Sequence, residues 1–365
     1  MFNINKQINR LYLSSVLGQV SLTGAWVAIL AARGFSLVEI GVAETAFHIV
    51  SLIFEIPSGV LADVFGRKRM LIVSTIMAII SDLVMIFSFN LFTVCLSTGI
   101  RALNYNFASG SGDALAYDSM KRVGVEAGYE RYASNQMIIY RICSGISTLA
   151  AGLAIFLGHR ISYGVSLVFG VAQILVLSSL TEIKGKEYDR KLTFGHVMTM
   201  VWDCYKESFY FLKNTSKTVL LMFANSLVGA LDILLLFFLQ AKLPNAGIPG
   251  WLLGPALLIM EMGGVLGSKL ILGFKKARYR SVFIVTFLVI LGGICLEHSG
   301  ICIIMVIGGF LAALADDALQ IRTNAILQDM FPSEQRATLI SIEEFTFSVI
   351  MIILSPLAGW FFEIW

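Results

Sequence analysis

Apolar runs of about 20 residues recur along the whole chain, and no other feature constrains its fold as strongly. Each run is long enough to cross ~30 Å of hydrocarbon as a helix. They lie near 11–32, 38–58, 70–89, 91–112, 134–157, 161–180, 218–240, 250–268, 281–297, 299–319 and 338–361. In lipid every backbone polar group must find its partner inside the protein, so such runs become helices. The expected class is therefore an all-α polytopic membrane protein of about eleven spans. Charged residues are only 14% of 365, and the mean hydropathy is +0.81. A soluble domain of this size needs far more surface charge, and the runs leave no room for one. Met1–Arg10 is too short and the first run too long for a cleaved signal peptide, so the first span reads as an uncleaved anchor.

The cations set an orientation. If Met1 is cytoplasmic, only Arg33, Arg160 and Lys242 of the 27 Lys and Arg fall on the outer side, while Arg101 and Arg141 fall within spans. That bias is the positive-inside pattern. The net charge of +3 follows from it and is no signal for nucleic acid. The longest hydrophilic stretch divides the chain into residues 1–183 with six helices, a linker at 184–217, and residues 218–365 with five. Within the linker, Phe194, Val197, Met198, Val201, Tyr205, Phe209 and Leu212 recur at helical spacing, which predicts an amphipathic helix on the inner membrane surface.

Between the second and third spans runs Gly59-Val-Leu-Ala-Asp63-Val-Phe-Gly66-Arg67-Lys68-Arg69-Met-Leu71. So short a basic hairpin returns both helices on the same face, and its charges place that face in the cytoplasm. The pattern G-x-L-x-D-x-x-G-R-K/R-x-x-L resembles the signature loop of major facilitator superfamily transporters. The loop between spans 8 and 9, Gly267 to Arg280, keeps glycines and cations but lacks the aspartate, as a degenerate second copy.

The resemblance implies two pseudo-symmetric helical bundles about an axis along the membrane normal, with a solute site between them. It implies a cytoplasmic gate made of Gly59, Asp63, Gly66, Arg67 and Lys68. There Asp63 meets the N-terminal end of the eleventh helix, and Arg67 meets Asp113 or Asp118. Twelve helices are expected of the family, and Trp365 closes the eleventh. Arg101 in span 4 is similar in depth to an arginine of the drug/proton antiporter branch. Its following Leu103-Asn104-Tyr105-Asn106 departs from that branch, and span 5 lacks the branch's proline.

The residues within spans carry the remaining functional signal. A cation at mid-membrane costs roughly 2.5–3.5 kcal/mol on insertion scales, so Arg101 must face a cavity or a partner. Arg141 beside Tyr140 poses the same choice. Glu44 and His48 share a helix face at i, i+4. Asp232 and Glu261 stand isolated in apolar sequence, and Asp82 lies near the middle of span 3. Such acids are proton-carrier candidates or polar contacts between helices. Asp316, Asp317 and Asn324 mark the inner turn before span 11, and Glu343 and Glu344 adjoin the gate. Trp26, Tyr105, Phe107, Phe237 and Phe238 lie at plausible cavity depth.

No metal-ligand spacing, nucleotide loop or nucleophile elbow occurs, so no cofactor, metal or enzyme activity is expected. Cys295 and Cys302 flank an outer turn and could pair in an oxidising compartment. The resulting expectation is a monomeric secondary transporter in the bacterial inner membrane, N-terminus cytoplasmic. Its partners would be a small-molecule substrate, protons and the lipid bilayer, and its action proton-coupled efflux of amphipathic compounds. The alternatives are movement of an anionic metabolite or nutrient, and a non-transporting receptor or scaffold.

Overall fold

A computed structural model describes residues 2–183, 216–274, 276–330 and 336–364, with isolated positions between 195 and 206. The expected linker helix lies largely outside the described residues. Every described element is helical: α1 Ile4–Gln19, α2 Trp26–Ala32, α3 Leu37–Phe65, α4 Arg67–Ile86, α5 Leu91–Ala108, α6 Ser111–Lys121, α7 Tyr129–Leu149, α8 Ala151–Leu157, α9 His159–Ser178, α10 Ser216–Asn245, α11 Gly250–Leu270, α12 Tyr279–Glu297, α13 Cys302–Met330 and α14 Arg336–Ile364, with short 3-10 turns at Glu126–Gly128 and Ile271–Phe274.

Eight of these are long and apolar enough to cross a membrane, and the pair α7 and α8, bent by 50°, makes a ninth. Two expected spans differ. The first run is not one helix, because it breaks between α1 and α2. The break falls on Val20-Ser-Leu-Thr-Gly24, whose serine and threonine compete for backbone hydrogen bonds; Ser21 N–H donates to Ser147 Oγ at 3.1 Å. The fourth, α5, carries Arg101, Asn104 and Asn106 among its apolar residues, and its apolar length falls short.

The helix starts are capped as their sequences ask. Asn3 accepts from Lys6 N at 3.0 Å, and Asn90 with Thr93 forms a capping box at α5. Ser36 and Glu39 form another at α3: Ser36 N donates to Glu39 Oε2, and Glu39 N to Ser36 Oγ. Gly66 turns the chain from α3 into α4 with φ of +95°, a conformation that favours glycine.

The chain forms two compact units. The first comprises Met1–Gly24, Ala46–Ser147 and Leu157–Glu207. One core cluster of this unit comprises Leu11, Leu115, Ala116, Met120, Tyr132, Leu177 and Leu180, with Tyr12 and Tyr132 stacked at 5.2 Å. The second comprises Ala25–Thr45, Thr148–Phe156 and Ser208–Trp365. In it α11 lies directly on α13: a Cβ on Gly263 or Gly267 would strike the backbone of Phe310 or Leu314. Small residues of this kind let helices approach closely in lipid. The N-terminal end of α3 likewise seats on α14, with Gly41 over Ser355 and Gly359 over Leu37. Large side chains such as Phe87, Phe92 and Phe156 are exposed, as lipid-facing residues must be.

Candidate functional site

The signature loop is built around Arg67, the first residue of α4. Its guanidinium reaches Asp118 of α6 at 3.3 Å and Asp63, one turn earlier in α3, at 3.5 Å. Of the two acids the resemblance offers to Arg67, Asp118 is the one in ion-pair contact with it, and among the described residues no ion pair joins Asp113 to Arg67. Asp63 is exposed, as is Gly59. The start of α14, where the resemblance directs Asp63, lies in side chains outside the described residues. Ion pairs this accessible are worth about 1 kcal/mol or less, so they can form and break within a functional cycle.

A residue that sequence reasoning missed completes this loop. Glu182, four residues beyond α9, accepts from Lys68 N at 3.2 Å and Arg69 N at 3.3 Å. It supplies the N-terminal cap that Gly66 has no side chain to give, and its charge suits the positive end of the helix dipole. A Cβ on Gly66 would sit 2.8 Å from that carboxylate. Lys68 returns the exchange, its Nζ donating to Ser178 O at 2.8 Å and Leu180 O at 2.7 Å at the end of α9. Arg10 donates to Ser179 O, and Gln7 holds both backbone groups of Thr181. The only sequence signal for Glu182 was an acid placed directly after a span.

The first unit carries an open cavity of about 650 Å³. Its lining mixes apolar residues such as Leu11, Leu71 and Met137 with Ser14, Gln19, Arg101, Asn104, Asp113, Gln136 and Gln173. Arg101 bonds Asp82, whose side chain is 3% exposed, so the two intramembrane charges neutralise each other. Asp113, in the first turn of α6, is exposed toward the cavity, and partial desolvation by the surrounding protein pushes its carboxyl above the usual carboxylate range. Arg141 lies outside this cavity lining, exposed, with its guanidinium 5.9 Å from the Tyr140 ring. On α3, Glu44 is half-buried and His48 is buried, one turn apart. Tyr105 is exposed beside Phe47, whereas Phe107 and Phe238 are core residues.

The second unit holds the other intramembrane acids. Asp232 of α10 is 5% exposed, and its Oδ1 has no hydrogen-bond partner among the described residues. Its charged neighbours are Asp316 and Asp317 of α13. These two acids lie inside a 29-residue helix and do not mark the inner turn: α13 runs on to Met330. Gly229 leaves room for Asp316, with a Cβ there only 3.3 Å from its Oδ1. Glu261 accepts from Thr148 Oγ1 at 2.9 Å, and Glu343 from Asn225 Nδ2 at 2.9 Å. Trp26 meets Phe237 edge to face at 5.6 Å. Cys295 and Cys302 are free thiols, and Cys302 donates to Ala246 O.

No protein-family model matches the chain, and no curated protein matches it in sequence. Solved structures do match. The nucleoside transporter NupG aligns with a TM-score of 0.72 and 15% identity, over 100% of this chain and 92% of its own. A D-xylose-proton symporter gives 0.67 and 12%, over 97% and 89%. A bacterial homologue of the human lysosomal transporter Spinster, inward-facing and unoccupied, gives 0.66 and 13%, over 97% and 80%. At these identities the likeness carries the architecture, and with the apolar helices it establishes a multi-pass, all-α membrane protein with the major facilitator fold.

Proposed function

We propose that this chain is a secondary transporter that moves a small solute across the membrane by alternating access. The observation that carries this reading is the Asp63–Arg67–Asp118 cluster, a set of accessible ion pairs at the turn joining α3 to α4. A turn that only had to reverse the chain needs glycine, not a shared guanidinium. The fold it shares with three transporters supports the same reading. The cytoplasmic N-terminus belongs to this proposal on the strength of the cation distribution, and the inner membrane and a monomeric state are proposed with it.

Protons are the proposed coupling ion. Asp232, buried, with one carboxylate oxygen unpaired and two further acids as neighbours, is the group best placed to bind one. The expectation of efflux of amphipathic compounds draws on the likeness of Arg101 in depth to an arginine of the drug/proton antiporter branch. Its bond to Asp82 ties that charge within the protein, and the amides among the cavity's lining residues suit a solute that can form hydrogen bonds. The same bond balances Arg101 and leaves Arg141 as the cation that an anionic substrate would need.

Proteoliposomes preloaded with a panel of nucleosides, monosaccharides, amino sugars and lipophilic cations test the reading by counterflow. Exchange of at least one solute is expected, and Asp63→Asn should reduce it roughly tenfold without lowering the amount of folded protein. Absence of exchange across the panel, with the protein intact, would favour a receptor or scaffold. Asp232→Asn should retain exchange but lose accumulation driven by a pH gradient. Loss of neither would sink the coupling assignment.

A further inference from the structure

The Asp82–Arg101 pair sits in a fixed frame and is open on one side. Two reciprocal contacts hold α4 against α5, one turn to either side of Arg101. Ser74 Oγ donates to Asn104 O at 2.8 Å, and Asn104 Nδ2 returns to Ser74 O at 3.0 Å. Ser81 Oγ donates to Ser97 O at 2.9 Å, and Ser97 Oγ to Ser81 O at 2.8 Å. The backbone is thus fixed, and the long side chain of Arg101 keeps its freedom. Asp82 is 3% exposed, whereas the Arg101 side chain is 34% exposed and lines the open cavity. Asp82 takes one of the five N–H groups of the guanidinium, and the others have no partner among the described residues. Gln19 and the second N–H of Gln136 add neutral donors to the same lining.

Few groups can act on Asp82. Its own helix otherwise carries charge only at its start, Arg67 to Arg69. Of the helices packed on α4, α5 adds Cys95, Arg101 and Tyr105, α9 adds His159, Arg160 and Tyr163, and α6 adds Asp113, Tyr117, Asp118 and Lys121. The charge among them that acts on Asp82 is Arg101.

With both members ionised the pair is neutral. A carboxylate that took the spare fork of Arg101 would set two negative charges against one positive charge inside the membrane. A proton on Asp82 alone would leave Arg101 unbalanced. Together the two additions cancel, so each favours the other. A doubly charged anion leaves an excess that one proton does not cover. A neutral solute leaves the pair as it is, and a cation meets like charge at Arg101.

We infer that Arg101 and Asp82 form a joint site for a small organic carboxylate and a proton. The carboxylate pairs with Arg101 from the cavity, Arg101 gives up Asp82, and Asp82 takes a proton from water. This deepens the transport reading by naming the solute class, and it rests on that reading only for the ligand being carried. The proton is bound in the first unit, apart from the one proposed for Asp232 in the second.

Equilibrium binding to the purified full-length chain in detergent tests it. The probes are benzoate and D-gluconate, with benzamide and D-glucose as their neutral counterparts. At pH 7 at least one carboxylate should bind about tenfold more tightly than its counterpart. Calorimetry in buffers of different ionisation enthalpy should count about one proton taken up per carboxylate, and affinity should fall about tenfold from pH 7 to pH 8. Asp82→Asn mimics the protonated acid, so it should keep the carboxylate and lose both the uptake and the pH dependence. Arg101→Gln should weaken the carboxylate about tenfold.

Neutral counterparts binding as tightly as the acids overturn the proposal. So does carboxylate binding without proton uptake, or no carboxylate binding at tens of millimolar. Uptake that persists in Asp82→Asn and vanishes in Asp113→Asn would move the proton elsewhere in the cavity and sink the assignment. Binding lost in Arg141→Gln but kept in Arg101→Gln would do the same for the anion. The wild-type proton count decides the matter even where a variant does not fold. Proton-linked carboxylate binding without counterflow of the same carboxylate would sink transport and leave this inference standing. Counterflow of a neutral solute without carboxylate binding would do the reverse.

Discussion

At the scale of single residues, the membrane interior makes charges expensive and their partners indispensable. Asp82 is almost fully buried, and its bond is to Arg101. Asp82→Ala leaves a guanidinium uncompensated and should cost about 3 kcal/mol, read as a lower thermal midpoint in detergent. The double change Asp82→Asn with Arg101→Gln should recover most of that loss, because neither charge then remains. Recovery of nothing would show that the two residues act separately. The Glu182 cap gives a second test. Glu182→Ala should cost ~1 kcal/mol, the usual worth of a helix cap. Gly66→Ala should cost more in the native background than in Glu182→Ala, because part of its penalty is the encounter with that carboxylate. Strictly additive costs would remove the steric part of this account and leave only the positive φ.

At the scale of elements, glycine seams set the spacing of helices. Gly267→Val on α11 forces a branched side chain against the backbone of Leu314, and Gly41→Val does the same against Ser355. Each should lower stability by about 1–3 kcal/mol, the ordinary cost of overpacking, visible as a fall of several degrees in thermal midpoint. Gly292→Val is the control, since nothing lies within 4 Å of a Cβ there, and it should change little.

The elements also show what the sequence discloses. Apolar length and the signature loop were legible because lipid and a tight basic turn each demand a local pattern. The break between α1 and α2 was not, since Ser21 leaves the helix for a partner 126 residues away. Asp316 and Asp317 resembled a loop because adjacent acids are rare inside spans, and their burial depends on α10 and α11 packing around them. Glu182 was invisible as a cap because the helix it caps begins 115 residues earlier in the chain.

For the whole molecule, orientation is the property that composition argues most directly. Ser299→Cys lies in the turn between α12 and α13, and Glu126→Cys lies between α6 and α7. Placed singly in a chain stripped of its own cysteines, Ser299→Cys should react with an impermeant maleimide in intact cells. Glu126→Cys should react only after permeabilisation. The opposite pattern would put the N-terminus outside and invert the gate assignment.

The Arg101–Asp82 bond also bears on how the chain enters the bilayer at synthesis. The two residues sit on α4 and α5, neighbours joined by a turn of four residues, Phe87–Asn90. Inserted singly, each helix would present the insertion machinery with a bare charge at a cost of roughly 2.5–3.5 kcal/mol. Inserted as a hairpin, the pair arrives already neutral. The third and fourth spans are therefore expected to enter the bilayer as one unit, and a nascent chain cut after Phe87 should be retained at the insertion site and cleared rather than left in the membrane.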